Sequence, residues 1–173
     1  HQVSQVAEVK RAIIGVRPDE LAEGTAILQR YENLYFPGLS WQITAGGRER
    51  QDSVFNALCL VKDDEEFVAV HDGARPFATP DIFARVFAAA QKSGAAVAGV
   101  PVKDTTKLVD VEGRVVTTLE RSKLRAIQTP QIFRTQLLKQ AYEMLRREKI
   151  DVTDDAGAVE LLGMPVVVAE GSY

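Results

Sequence analysis

Residues 79–102, "TPDIFARVFAAAQKSGAAVAGVPV", decide the fold because they predict a helix followed at once by a strand. Pro80 suits the first turn of the helix, Thr79 can cap it, and Gly94 can end it. Apolar residues recur at helical spacing and define one buried stripe: Ile82, Phe83, Val86, Phe87 and Ala90. Residues 95–102 then form the next predicted strand.

The same alternation runs along most of the chain. Strands are predicted at 10–16, 40–47, 66–70, 95–102 and 165–171, and helices at 17–31 (after a short loop), 52–61, 79–94, 134–148 and 153–163. Thr153 is the expected cap of the last helix. This order predicts an α/β fold of three layers with a mostly parallel sheet.

One segment departs from the alternation of strands and helices. Residues 107–121 alternate apolar and polar side chains on either side of Glu112-Gly113, which predicts a β-hairpin. We therefore expect a single domain over residues 1–173, with a protruding hairpin arm at about 105–130.

Composition excludes several classes of function. The net charge of −3 leaves no basic surface for nucleic acid. No apolar run approaches the ~18 residues of a membrane helix, and the start lacks a signal-peptide pattern. Cys59 is the only cysteine, so no intramolecular disulfide can form, and its apolar surroundings predict that it is buried. A cytoplasmic setting, without membrane or nucleic-acid partners, is expected.

Unusual residues follow three successive strands, where open α/β sheets bind their ligands. The first strand end is "AGGRERQDSV". Gly46 and Gly47 can adopt positive φ and let the backbone approach a ligand. Arg50 follows, and Ser53 lies in the first turn of a helix, where free N–H groups favour anions. The alternative is a glycine turn with solvated charges.

The second strand end is "HDGARPF", residues 71–77. Gly73 permits a tight turn against a base or phosphate, and Asp72 can hold a metal ion or a sugar hydroxyl. Arg75 can bind phosphate oxygens in a bidentate way. The alternative is an Asp72–Arg75 pair that only stabilises the turn. His71 is interpreted as a packing residue, because no second histidine lies nearby.

The third strand end is "PVKDTTK", where Lys103 and Lys107 supply positive charge and Thr105 a hydroxyl. A solvated turn into the hairpin is the alternative. Farther along, Arg121 lies at the foot of the hairpin and Thr129 follows it. Basic side chains and accessible backbone at three strand ends indicate a site for a phosphorylated ligand.

Together, "AGGRERQDSV", "VHDGARPF", "GVPVKDTTK", "RSKLRAIQTPQIF" and "VTDDAGAVELLG" resemble the 2-C-methyl-D-erythritol 4-phosphate cytidylyltransferases, from about residue 9 to residue 171. The resemblance implies a nucleotide-diphospho-sugar transferase-like fold and a homodimer in which each hairpin arm embraces the partner. It also implies CTP and a polyol phosphate as substrates and Mg²⁺ as cofactor, with metal ligands that stay unassigned.

The resemblance also implies roles for particular residues. On the cytidine triphosphate side it places Gly47, Arg50, Ser53, Asp72, Gly73, Ala74 and Arg75. On the polyol-phosphate side it places Asp72, Thr105, Arg121 and Thr129. Arg121 takes the catalytic role of positioning the attacking phosphate, and it can do so across the dimer interface.

The chain departs from the family pattern at both ends. The family opens with a strand and a glycine-rich loop whose arginine, with a lysine nearby, grips the triphosphate, and this chain has no matching segment. The family's final lysine-bearing segment is also unmatched. The expected reading is a truncated enzyme that is nearly inactive by itself. The alternatives are a ribitol 5-phosphate cytidylyltransferase and a non-catalytic nucleotide-binding or dimerisation module.

Overall fold

The computed structural model describes residues 2–173, in which strands and helices alternate. The strands are β1 (Arg11–Val16), β2 (Ser40–Ala45), β3 (Phe67–Val70), β4 (Ala95–Pro101), β5 (Lys107–Val109), β6 (Val115–Thr118), β7 (Arg125–Arg134) and β8 (Val167–Glu170). The helices are α1 (Leu21–Tyr35), α2 (Arg50–Leu58), α3 (Pro80–Ser93), α4 (Thr135–Glu148) and α5 (Asp155–Leu161). Short 3-10 turns occur at Val3–Gln5, Pro18–Glu20 and Arg121–Lys123.

The main sheet has four strands in the order β3-β7-β4-β8. Strand β8 is parallel to β4, whereas β7 is antiparallel to both β3 and β4. Strands β3, β4 and β8 therefore run in one direction, and the prediction of a mostly parallel α/β sheet is confirmed, with β7 as the exception. Strands β1 and β2 form a separate parallel pair, and β5 and β6 form the predicted hairpin.

Helices cover both faces of the main sheet, which gives the predicted three layers. Side chains of β4 alternate between the faces, as strand geometry requires. On one face, Ala96 and Ala98 pack with residues of α3 such as Val86, which is fully buried. On the other, Val97 packs with residues of α4 and α5 such as Leu138. Gly94 ends α3 with a φ of 84°, as predicted.

Strand β7 is the element that the sequence pattern did not predict. The stretch "AIQTPQIF" contains Pro130, and proline is rare inside strands, so its local pattern is not that of a strand. The β4–β7 register shifts between Val97 and Gly99, opposite this proline, so the ladder is interrupted where the proline lies. Residues 125–130, which we expected in the hairpin arm, belong to β7 instead.

Thr79 occupies the N-cap of α3 as predicted, although its side chain makes no capping hydrogen bond. Two other local predictions, the cap of α5 and the burial of Cys59, are wrong. Asp154, not Thr153, caps α5: its carboxylate accepts a hydrogen bond from the Gly157 N–H at 2.9 Å. Cys59 is exposed, because α2 ends at Leu58 and the next residue turns away from the core.

An apolar cavity of about 900 Å³, which we call the inter-sheet groove, separates β1 from β3. Residues 10–15 and 66–70 line it from the two strands, and Val54 and Leu58 line it from α2. Within residues 2–173, β1 pairs only with β2 and β3 only with β7, so each has one unpaired edge.

One ion pair spans the two sides of this groove. The Arg11 guanidinium on β1 binds the Glu65 carboxylate just before β3, with Nε and Nη2 each 2.8 Å from an oxygen. The hydrogen bond from Arg11 lowers the pKa of Glu65 to about 2. None of the helices in residues 2–173 has the length and hydropathy needed to cross a bilayer.

Candidate active site

The ends of β2 and β3 meet through one arginine. Arg50, the first residue of α2, directs Nε to Asp72 Oδ1 at 3.0 Å. Arg50, Ser53 and Asp72 also line the inter-sheet groove. The structure therefore brings the first two predicted strand ends into one site.

The glycines after β2 serve close packing. A Cβ on Gly47 would lie 2.1 Å from Asp52 Cβ, and one on Gly46 would lie 2.9 Å from Ser53 Oγ. Neither glycine is among those with positive φ, so that prediction is wrong. The Gly47 N–H donates to Ser53 Oγ at 3.0 Å, which fixes the turn against the start of α2.

The turn from Asp72 to Arg75 presents unused donors to solvent. The Arg75 N–H closes it by donating to the Asp72 carbonyl at 3.0 Å. The exposed N–H groups of Gly73 and Ala74 have no acceptor within residues 2–173, and the Arg75 guanidinium has no acidic partner there. The alternative of an Asp72–Arg75 pair is wrong, since Asp72 binds Arg50. These donors are available to an anionic ligand.

A buried carboxylate that the sequence analysis missed holds Arg50 from behind. Asp155, fully buried at the start of α5, accepts from Arg50 Nη2 at 2.8 Å and from the Tyr142 hydroxyl at 2.5 Å. Burial opposes the charge on Arg50, but Asp155 and Asp72 outweigh it and raise the pKa of Arg50. Burial and the charge of Asp155 likewise raise the pKa of Tyr142.

Arg50 therefore bridges two carboxylates, and its Nη1 has no hydrogen-bond partner among residues 2–173. The sequence signal was "TDDA", whose acids were interpreted as first-turn charges. Gln131, 2% exposed, joins β7 to the same motif: its Nε2 donates to Asp154 Oδ2 at 2.9 Å, and its Oε1 accepts from the Ala156 N–H at 3.0 Å.

Thr129 lies beside the turn but is only 5% exposed. Its Oγ1 accepts a hydrogen bond from the Asp72 N–H at 3.1 Å and lies 3.0 Å from His71 Nδ1. Burial lowers the pKa of His71. Thr129 is thus linked through the backbone N–H of Asp72 to the site formed by Arg50 and the Asp72–Arg75 turn.

The third strand end forms a second group at some distance. Val97 of β4 and Val70 of β3 both pair with Gln131, and β4 continues four residues beyond that level, about 13 Å. There the Arg121 Nη1 donates to the Lys103 carbonyl at 2.6 Å, and Thr105 is exposed. Within one chain, Arg121 and Thr105 make no hydrogen bond or ion pair with the Asp72–Arg75 turn among residues 2–173.

The oxygen atoms at this site suit a cation whose coordination comes mostly from a bound ligand. No cluster of three histidine, cysteine or acidic residues occurs among residues 2–173. Asp72 Oδ2 is the one carboxylate oxygen at the turn without a protein partner in that part of the chain. Mg²⁺ commonly binds one or two carboxylates together with substrate phosphates and water, so these residues fit it.

An anion site at the strand ends of a three-layer α/β domain is typical of nucleotide-binding enzymes, and the fold is that of the nucleotidyltransferase type. The family model for 2-C-methyl-D-erythritol 4-phosphate cytidylyltransferase (IspD) matches residues 1–173. A protein of that name from Bacillus mycoides is 45% identical over 164 residues, covering 95% of this chain and 70% of the relative. The chain belongs to this family.

Further comparisons agree. A relative of the same name from Syntrophus aciditrophicus is 48% identical over 130 residues, which is 75% of this chain and 56% of the relative. The crystal structure of the 4-diphosphocytidyl-2C-methyl-D-erythritol synthase of Anaerococcus prevotii superimposes with a TM-score of 0.90 at 32% identity, covering 99% of this chain and 74% of that one. The chain spans little more than half the length of several curated relatives.

Proposed function

We propose that this chain forms the greater part of an enzyme that transfers the cytidylyl group of CTP to 2-C-methyl-D-erythritol 4-phosphate. The products are 4-diphosphocytidyl-2-C-methyl-D-erythritol and pyrophosphate, in non-mevalonate isoprenoid precursor synthesis. The observation that carries the proposal is the Asp72–Arg75 turn, which offers free N–H groups and a guanidinium, and which Arg50 joins to the end of β2 through Asp72. Family membership supports the choice of substrates.

The chemistry asks the protein mainly to position two anions. A phosphate oxygen of the polyol attacks the α-phosphorus of CTP in line, and pyrophosphate leaves. Because the nucleophile is already ionised, no general base is required, and positioning with charge neutralisation lowers the barrier. Gly73 and Ala74 N–H groups and Arg75 bind phosphate oxygens, while Arg50, held by Asp155, keeps Asp72 in place.

Mg²⁺ is the proposed cofactor. Asp72 Oδ2 is the protein ligand that the chain offers, with the triphosphate supplying the rest of the coordination. When bound, the cation neutralises charge on the triphosphate and so supports loss of pyrophosphate.

The hairpin arm is proposed to reach a second copy of the chain. Its apolar side chains are exposed, with Leu108 at 52%, Val109 at 50% and Val116 at 61% exposure. Arg121 bonds to the Lys103 carbonyl and makes no hydrogen bond with its own chain's turn among residues 2–173. A homodimer in which each arm covers its partner's polyol-phosphate site would bury the apolar face and bring Arg121 to the attacking phosphate.

The decisive experiment measures pyrophosphate release by the full-length gene product with CTP and Mg²⁺. Methylerythritol 4-phosphate should support turnover at about 1–1000 s⁻¹, the usual range for enzymes. Ribitol 5-phosphate serves as the matched acceptor. Faster turnover of ribitol 5-phosphate would overturn the substrate assignment, and no turnover of either would overturn the activity. Fractionation of the producing cells tests the proposed cytoplasmic location.

A further inference from the structure

His71 directly precedes the Asp72–Arg75 turn, and its side chain is linked to both ends of the turn, to Arg75 directly and to Asp72 through Thr129. Its Nε2 is 3.1 Å from the Arg75 carbonyl oxygen, and its Nδ1 is 3.0 Å from Thr129 Oγ1. Thr129 Oγ1 in turn accepts the Asp72 N–H. The imidazole is half-buried, edge-on to Phe83 with ring centroids 5.1 Å apart.

The partners allow a single assignment of protons to a neutral imidazole. A carbonyl oxygen only accepts, so the proton of His71 must be on Nε2, pointing to Arg75. Nδ1 is then an acceptor and receives the Thr129 hydroxyl proton. The Thr129 oxygen keeps its lone pairs for the Asp72 N–H.

This arrangement is a continuous chain of hydrogen bonds. It runs from the Asp72 N–H through the Thr129 hydroxyl to His71, and from His71 to the Arg75 carbonyl. It anchors the start of the turn to β7 and its end to His71, while Gly73 and Ala74 between them stay exposed.

We infer that His71, as its Nε2–H tautomer, is a positioning residue that works with Thr129 to hold the Asp72–Arg75 turn in its ligand-binding conformation. The inference rests on the proposed function, since the ligand is the phosphate of that reaction. It assigns Thr129 a role through the backbone of Asp72. Neither side chain needs to touch a substrate.

Variants that keep or remove single atoms separate positioning from packing. Thr129→Val keeps the shape but loses the hydroxyl, whereas Thr129→Ser keeps it. In the full-length gene product, Thr129→Val should raise the KM for CTP or for the polyol phosphate about tenfold, the value of one net hydrogen bond, with a smaller change in kcat. The KM of Thr129→Ser should stay within about twofold of the wild-type value, because serine keeps the hydroxyl that Thr129→Val removes.

A second pair of variants tests the two nitrogens of His71. His71→Gln can replace the Nε2–H donor to Arg75, and His71→Asn can replace the Nδ1 acceptor for Thr129. Each of these two variants should raise the KM, and His71→Ala should raise the KM at least as much as the more damaging of the two. Equal kinetics for His71→Ala and wild type would overturn the inference.

A spectroscopic measurement stands apart from activity. Nitrogen NMR of the wild-type chain labelled at histidine should show His71 protonated on Nε2 and unprotonated on Nδ1 at neutral pH. Thr129→Val should shift the Nδ1 signal, while Thr129→Ser should not. Protonation on Nδ1 would overturn the inference even if cytidylyl transfer is active. Conversely, the expected tautomer in a protein that transfers no cytidylyl group would refute only the proposed reaction.

Discussion

Replacing Asp155 with asparagine should destabilise the chain through Arg50. The carboxylate is fully buried and takes a hydrogen bond of 2.8 Å from an arginine side chain that is 37% exposed. A hydrogen bond to a charged group contributes about 1.5–3 kcal/mol, and breaking a fully buried pair costs about 3–5 kcal/mol. Because Arg50 is partly solvated and keeps Asp72, we expect a loss of about 2–3 kcal/mol. In a domain of this size that lowers Tm by roughly 5–10 °C.

The assay is urea unfolding of the 173-residue chain at pH 7, with Glu143→Gln as the control. Glu143 is exposed on α4, beside Tyr142, and its replacement makes the same change in charge, so its effect should stay within about 0.5 kcal/mol. A double-mutant cycle of Asp155→Asn with Arg50→Gln should give a coupling energy above about 1 kcal/mol. A coupling below about 0.5 kcal/mol, or an Asp155 variant as stable as the control, would refute the reasoning.

Three further predictions concern other parts of the molecule. Glu65→Gln should lower the free energy of unfolding by about 1–2 kcal/mol at pH 7, because Arg11 stabilises the ionised carboxylate in a pair that solvent partly weakens. In urea titrations this difference should disappear as the pH falls from about 4.5, the ordinary pKa of glutamate, to about 2, the pKa of Glu65 in the folded chain. Arg121→Ala in the full-length gene product should raise the KM for the polyol phosphate far more than that for CTP, and equal losses in steady-state kinetics would contradict its role. Val116→Asp on the hairpin should shift a dimer toward monomer in sedimentation velocity, whereas Arg114→Asp at the exposed turn should not; an unchanged dimer in the first case would exclude the arm as the interface.

The parts of the fold that follow a regular period were predictable from sequence. Helix α3 has a strong apolar stripe and a glycine stop, and both are found as predicted. Strand β7 was not predicted, because its pattern contains a proline and its pairing depends on β3 and β4, which are distant in sequence. Long-range pairing of this kind leaves little trace in a local window.

The site divides in the same way. Sequence reasoning identified the Asp72–Arg75 turn and Arg50, since glycine and charge directly after apolar strands are visible in the chain. It missed Asp155 and gave His71 no more than a packing role. Their significance comes from contacts with residues as many as 105 positions away, which no local pattern encodes. The two glycines at 46–47 are visible in the sequence, but the reason for them, close contact with Ser53 and Asp52, required coordinates.

The inter-sheet groove has a practical consequence for handling the 173-residue chain. Within residues 2–173, β1 and β3 each have one edge without a pairing strand, and both strands line the apolar groove. Unpaired strand edges of this kind favour strand exchange and fibrous association between molecules. Lys10, Arg11, Glu65 and Glu66 line the groove, and charged side chains beside a strand edge oppose such association. Concentrated preparations should therefore become turbid sooner in high salt, where those charges are screened, than in dilute buffer.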